Sequence, residues 1–209
     1  MKKIYLLTVL LCSLVVINSC KKDGDDNPPA NEPKYEVVEL TTKYGKMYIW
    51  LYDDTPLHKA NFLKLCKEGF YDSTTFHRTE PGFVIQGGDP NSKDANPNND
   101  GYGGPGYTVG AEIKHSNVAG TLGGASTSPG APSNGSQFYI NQVDNSSKLD
   151  GSYTVFGQVI KGNDQITTIV SQPFDAKKRP LTNVYMFMAV KSYATKGEVL
   201  AEYGFAIPD

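Results

Sequence analysis

The chain has 209 residues and a formal charge of -2, long enough for one large domain or two small ones. Its hydrophobic content of 39% and aromatic content of 11% can build a real core, which argues against disorder over most of the length. The near-neutral balance, with no basic stripe beyond the N-terminus, argues against nucleic acid as a partner.

The N-terminus reads as a processing segment. Lys2 and Lys3 precede a mostly apolar run from Ile4 to Ile17. That run is shorter than the roughly 20 residues a membrane-spanning helix needs, so residues 1–19 read as a secretory signal. The run ends in "INSC", and a small residue directly before Cys20 resembles the lipobox of bacterial lipoproteins. The resemblance implies cleavage before Cys20, a lipid on its thiol as membrane anchor, and a place in a bacterial cell envelope, at the outer membrane. An ordinary signal peptide that happens to contain a cysteine is the competing reading. With Cys12 removed and Cys20 lipidated, Cys66 is left without a partner. It is expected as a buried small hydrophobe, with no disulfide. "KKDGDDNPPANEPK", residues 21–34, is charged and proline-rich and buries too little to order itself. Residues 20–34 therefore read as a tether.

From Tyr35 the pattern changes. "YEVVELTT" and "KMYIWLY" are β-rich runs separated by "KYG", a hairpin signal. A helix follows, with Thr55 as N-cap, Pro56 at the first helical position and Gly69 past the end. Leu57, Ala60, Leu63 and Cys66 recur at helical spacing, and Lys59, Lys64 and Lys67 are expected to face water. "TTFHRT" and "GFVIQG" read as strands joined at Pro81-Gly82, which fits a type II turn. Residues 87–136 are rich in Gly, Pro, Ser and Asn; so long a loop region in a folded domain is usually functional. "SQFYIN" and "YTVFGQVI" return to strand. "NDQITTIV" is a short helix with Asn163 as cap and Ile166, Ile169 and Val170 on one face. "NVYMFMAVKSY" is a final strand, and residues 194–209 form an extension without an assigned role. Many antiparallel strands with two helices predict a closed barrel whose ends the helices plug, since closure removes exposed edges.

Several tempting motifs fail. "GYGGPG", residues 101–106, matches GxGxxG, but it follows a polar loop and opens no helix, so it is not a nucleotide cradle. His58, His77 and His115 are scattered without ligand spacing, which speaks against zinc. Ser126, Ser128, Ser133 and Ser136 sit in no GxSxG elbow.

"FHRTEPGFVIQGGDP", residues 76–90, is the stretch that carries chemistry. It sets one arginine beside a Pro-Gly turn and a greasy strand, with no evident acid, base or metal partner. Together with "NFLKLCKEGFYD", "GGPGY", "NGSQFYI" and "LDGSYTVFGQVIKG", in that order, it resembles the cyclophilin family of peptidyl-prolyl isomerases over residues 35–193. The resemblance implies an eight-stranded antiparallel barrel capped by two helices, no cofactor or metal, and proline-containing polypeptides as substrate. It gives no sign of oligomerisation, and a monomer is expected.

The resemblance also implies an outer groove. Arg78 matches the catalytic arginine, Gln86 the glutamine that holds a substrate carbonyl, and Phe83, Val84 and Tyr139 the wall of the proline pocket. Leu149 matches another wall. Ala125 and Ser126 match the segment that offers backbone groups to the peptide, although Gly124 replaces a frequent methionine and the loop before Gly135 is longer. Lys148 and Tyr153 stand where many eukaryotic members have tryptophan and histidine. Read without the family, Arg78 is equally a surface ion pair worth about 0–1 kcal/mol. A binding module that kept the groove but lost turnover, or a structural lipoprotein, are the alternative functions.

Register poses a specific problem. A simple four-residue turn from Glu80 to Phe83 pairs Arg78 with Ile85, which puts Gln86 on the other sheet face. Placing Arg78 and Gln86 on one groove demands a bulge or a longer connection near Pro81.

Overall fold

The computed structural model describes residues 35–94 and 96–208. The expected signal, Cys20 and the tether lie outside the described residues. Among the described residues ten strands run in chain order: β1 Tyr35–Thr42, β2 Gly45–Leu51, β3 Thr74–Thr79, β4 Val84–Gly87, β5 Thr108–Val109, β6 Thr121–Gly124, β7 Ser133–Asn134, β8 Phe138–Asn141, β9 Val155–Lys161 and β10 Tyr185–Tyr193. The helices are α1 Pro56–Lys67, α2 Ser146–Leu149, α3 Asp164–Val170 and α4 Lys196–Tyr203, with a 3-10 turn at Pro90–Lys93. Eight strands close an antiparallel barrel in the order β1-β10-β3-β4-β8-β6-β9-β2, while β5 and β7 pair separately.

The barrel interior is apolar. Leu40, Ile49, Leu51, Phe76, Ile85, Leu122, Phe138, Ile140 and Phe156 form one buried cluster with Phe62, Leu65 and Cys66 of α1 and Ile166, Ile169 and Val170 of α3. The two helices thus fill the barrel as expected. Phe62 meets Phe138 edge-on at 5.5 Å and 89°, an arrangement worth about 0.5–1.5 kcal/mol beyond area burial. Cys66 is buried, its Sγ donating to Met188 Sδ at 3.5 Å, and its apolar surroundings push the thiol's pKa up.

Several local expectations need correction. Leu57 and Ala60 are exposed; α1 buries Leu63 and Cys66 as expected, together with His58, Phe62 and Leu65. The buried stripe includes a histidine, a residue type that hydrophobic periodicity does not mark. Thr55 occupies the cap position but makes no side-chain cap hydrogen bond. The Glu112 carboxylate, far along the chain, accepts from the backbone N–H groups of Leu57 and His58 at 3.0 Å each. Asn163 likewise sits at the cap of α3 without capping it; its Nδ2 donates to Val159 O. Lys59 is half-buried rather than fully solvated, lying 5.3 Å over the Trp50 ring.

The region 87–136 conceals a barrel strand. Strand β6, "TLGG", is short and glycine-rich, so no side-chain alternation announces it. The extension is also structured. Helix α4 opens with a capping box between Thr195 and Glu198 and ends at Gly204, whose φ of 68° is left-handed. Val199, Tyr203 and Ile207 form a second buried cluster with Val37 and Trp50 on the outer side of β1 and β2.

Candidate active site

Two irregularities place the key side chains. The turn hydrogen bond from Phe83 N–H to Glu80 O is made at 3.0 Å, and Gly82 has a φ of 75°, as a type II turn requires. However, Glu80 N–H donates to Val84 O, so three residues, 81–83, form the connection. Arg78 is thereby shifted opposite Gln86, and Thr79 opposite Ile85. The required register shift is present. The second irregularity is at His77. Phe76 pairs with Gly87 while Arg78 pairs with Gln86, leaving His77 as the extra residue of a bulge. The bulge lets Phe76 point into the core and Arg78 point out, which strict alternation forbids.

The same cross-strand logic continues round the barrel. Gln86 lies opposite Tyr139, and Tyr139 opposite Gly123. Arg78, Gln86, Tyr139 and Gly123 form one row across β3, β4, β8 and β6, on one sheet face. Gly123 has no alternative: a Cβ there would lie 2.2 Å from Tyr139 Cζ. The bare fourth position makes the hollow into which the tyrosine ring settles.

All nine residues expected at the groove line a single cavity of about 230 Å³: Arg78, Phe83, Val84, Gln86, Ala125, Ser126, Tyr139, Leu149 and Tyr153. This is smaller than pockets for drug-sized ligands and suits a ring-sized group. Tyr139 and Tyr153 meet edge-on, 6.4 Å apart at 86°. Burial pushes the Tyr139 hydroxyl's pKa up, with Tyr153 and Asp150 adding to it, and the hydroxyl donates a hydrogen bond to Asn117 Oδ1 at 2.7 Å. Two cations flank the Phe83 ring, Arg78 Cζ at 5.8 Å and Lys148 Nζ at 5.6 Å.

A polar chain runs behind Arg78. Its Nη1 donates to Gln86 Oε1 at 3.4 Å, and Gln86 Nε2 donates to Gln137 Oε1 at 3.1 Å. Gln137 Nε2 donates to the carbonyls of Gly101 and Gly103. The N–H groups of those two glycines are held by the buried carboxylate of Asp89. A Cβ on Gly103 would approach Asp89 Oδ1 to 2.1 Å, which explains Gly103 of "GYGGPG" without a nucleotide. Arg78 also has an acid partner after all: its Nη2 donates to Glu80 Oε2.

Three features carry no signal of their own in the sequence. Gln137 sits inside the strand-forming "NGSQFYI". Glu80 stands at the start of the Pro81-Gly82 turn. Gly123 was one glycine among many, and only strand pairing distinguishes it. The backbone offered to a peptide also narrows: Ala125 N–H already donates to Gln137 O, and Ala125 O accepts from Asn134 N–H at 2.7 Å.

A closed eight-stranded antiparallel barrel with two plugging helices, carrying on its outer wall a ring-sized cavity edged by one arginine, defines the cyclophilin class of fold and groove. Residues 37–190 match the sequence profile of the family described as cyclophilin type peptidyl-prolyl cis-trans isomerase/CLD. The chain is 36% identical over 157 residues to peptidyl-prolyl cis-trans isomerase-like 3 of Dictyostelium discoideum, covering 71% of this chain and 91% of that protein. It is 43% identical over 121 residues to a peptidyl-prolyl cis-trans isomerase of Synechococcus elongatus, covering 57% and 77%. A cyclophilin type isomerase of Cryptosporidium parvum, crystallised in the presence of the dipeptide Ala-Pro, superposes with a TM-score of 0.67 at 31% identity, over 75% of this chain and 99% of that one. The chain belongs to the cyclophilin-type peptidyl-prolyl cis-trans isomerases and catalyses rotation about X-Pro peptide bonds.

Proposed function

We propose that Arg78 is the catalytic residue of this isomerase, and that the enzyme is lipid-anchored through Cys20 in a bacterial envelope, where it assists folding of exported proteins. The observation that carries the catalytic assignment is the single cavity that gathers Arg78 with Phe83, Gln86 and six further groove residues. The Ala-Pro dipeptide present with the Cryptosporidium relative supports a prolyl peptide as the occupant.

The chemistry asks little of the protein. The peptide bond resists rotation by about 18–20 kcal/mol because the nitrogen lone pair is delocalised. No bond is made or broken, so no nucleophile is needed. In the twisted state the lone pair localises on the prolyl nitrogen, which becomes a hydrogen-bond acceptor. Arg78 donates to it there and not to the planar ground state, which is differential binding of the transition state. An always-charged, planar donor suits that task. Phe83, Val84, Tyr139 and Leu149 grip the proline ring, and the bound peptide itself displaces water from the donor. Gln86 and the backbone of Ser126 hold the flanking chain, so that rotation occurs at one bond. A rate gain of about 10⁵ needs roughly 7 kcal/mol, which one hydrogen bond does not supply; grip and clamp share it.

The anchor proposal rests on the lipobox-like "INSC" and the polar run behind it. Among the described residues no helix is long and apolar enough to cross a membrane. A protease-coupled isomerisation assay on the detergent-extracted protein tests the catalytic part, and turnover unchanged in Arg78→Ala would refute it. Cys20→Ser is expected to abolish partitioning into detergent; unchanged partitioning would refute the lipid.

A further inference from the structure

We propose that Glu80 is a positioning residue that holds the Arg78 guanidinium at the edge of the proline cavity; the proposal rests on the catalytic reading of Arg78. The Arg78 side chain is 35% exposed, and a solvated arginine with four rotatable bonds wanders. Two acceptors restrain it here. Nη1 donates to Gln86 Oε1 at 3.4 Å, a long contact to a neutral acceptor. Nη2 donates to the Glu80 carboxylate, a charge-assisted bond roughly twice as strong as a neutral one. Acceptors on two different nitrogens fix both the position and the roll of the planar group, which one acceptor leaves free. The Phe83 ring, 5.8 Å from Cζ, backs the plane.

The backbone makes Glu80 a firm support. It precedes Pro81, which restricts it to extended conformations. Its N–H donates to Val84 O at 2.9 Å and its carbonyl accepts from Phe83 N–H at 3.0 Å, so the residue is clamped at the base of the turn. Being two positions from Arg78 along the chain, its side chain emerges on the same face. Glu80 does not line the cavity; it steadies the arginine without occupying substrate space. With two of five N–H donors engaged, the rest of the guanidinium remains available to the substrate.

The test measures kcat and KM for a proline tetrapeptide with the full chain in detergent, comparing the native protein with E80A, E80Q, R78A and the R78A/E80A double variant. E80A is expected to lower kcat about tenfold with KM within about twofold, the split of a group acting on the transition state. E80Q, which keeps an acceptor oxygen at the same reach, is expected to recover kcat to within about threefold of native. E80A is expected to add nothing in the R78A background, and ¹⁵N relaxation of Arg78 Nε–Hε is expected to show larger motion in E80A. An unchanged or raised kcat in E80A overturns the proposal, as does an equal loss in the R78A background. Native turnover in R78A overturns instead the catalytic reading of Arg78.

Discussion

Arg78 on β3 stands directly opposite Gln86 on β4, and the two side chains are hydrogen-bonded at 3.4 Å. That pairing exists because the connection 81–83 carries one residue more than a tight hairpin, and the bulge at His77 then turns Phe76 back into the core. Together these put the only arginine of the stretch on the outer wall while its neighbours Phe76 and Thr79 stay buried.

Arg78→Ala is expected to lower kcat/KM by roughly 100-fold or more, the scale of losing one donor aimed at developing charge. Arg78→Lys is expected to stay low, because an ammonium lacks the planar fork that Gln86 and Glu80 grip. Protease-coupled assays beside far-UV circular dichroism would check both, and an active, folded Arg78→Ala would contradict the mechanism.

Gly123→Ala is expected to damage the cavity rather than the barrel as a whole. The new Cβ meets the Tyr139 ring at 2.2 Å, and overpacking of this kind costs about 1–3 kcal/mol. With the wall displaced, KM for prolyl peptides is expected to rise at least about tenfold. Native KM in this variant would mean that the ring can move aside freely.

Acid stability follows from two buried histidines. Burial pushes His58 and His77 below the ordinary histidine value, outweighing the opposite pull of Glu112 on His58 and of Asp89 and Asp100 on His77. Each stays neutral in the native state while the unfolded chain takes up the proton, so stability rises with pH. The contribution is complete above the unfolded value of about 6.5 and is lost as pH falls below it towards the depressed native value, at up to about 1.4 kcal/mol per pH unit for each histidine. Denaturant titrations between roughly pH 7 and pH 5 should show this slope, reduced in His77→Gln. A flat profile across that window would contradict it.

Truncation after Tyr193 is expected to cost stability and spare turnover. It removes Val199, Tyr203 and Ile207, which cover Val37 and Trp50, and burying side chains of this size contributes roughly 1.5–3 kcal/mol each. Strands β1 and β2 lie across the barrel from β4 and β8, so the groove is untouched. The denaturation midpoint should fall while kcat/KM stays within about twofold. A large loss of turnover at preserved fold would show coupling across the barrel.

Much of the fold was legible because its strands and helices carry their own signals. Pro56 at the start of α1, the Pro81-Gly82 turn, and Ile166, Ile169 and Val170 on one face of α3 were readable locally. Strand β6 was not, since Thr121–Gly124 has too few side chains to show a period. Helix α4 has local signals in the Thr195–Glu198 capping box and Gly204, but the face it buries is not legible, because its apolar residues answer to Val37 and Trp50 on a distant hairpin.

For the site, linked motifs were enough to name the cavity's residues, because the groove-forming segments are short and keep their order along the chain. What the sequence by itself determined was the family, the barrel class and which side chains belong to the groove. Only tertiary structure decided the register that sets Arg78 beside Gln86, the carboxylates that cap α1 and grip Arg78, and the emptiness of Gly123. Those depend on which residue stands opposite which across strands, a relation fixed by hydrogen-bond pairing and close packing between segments that are far apart in the chain.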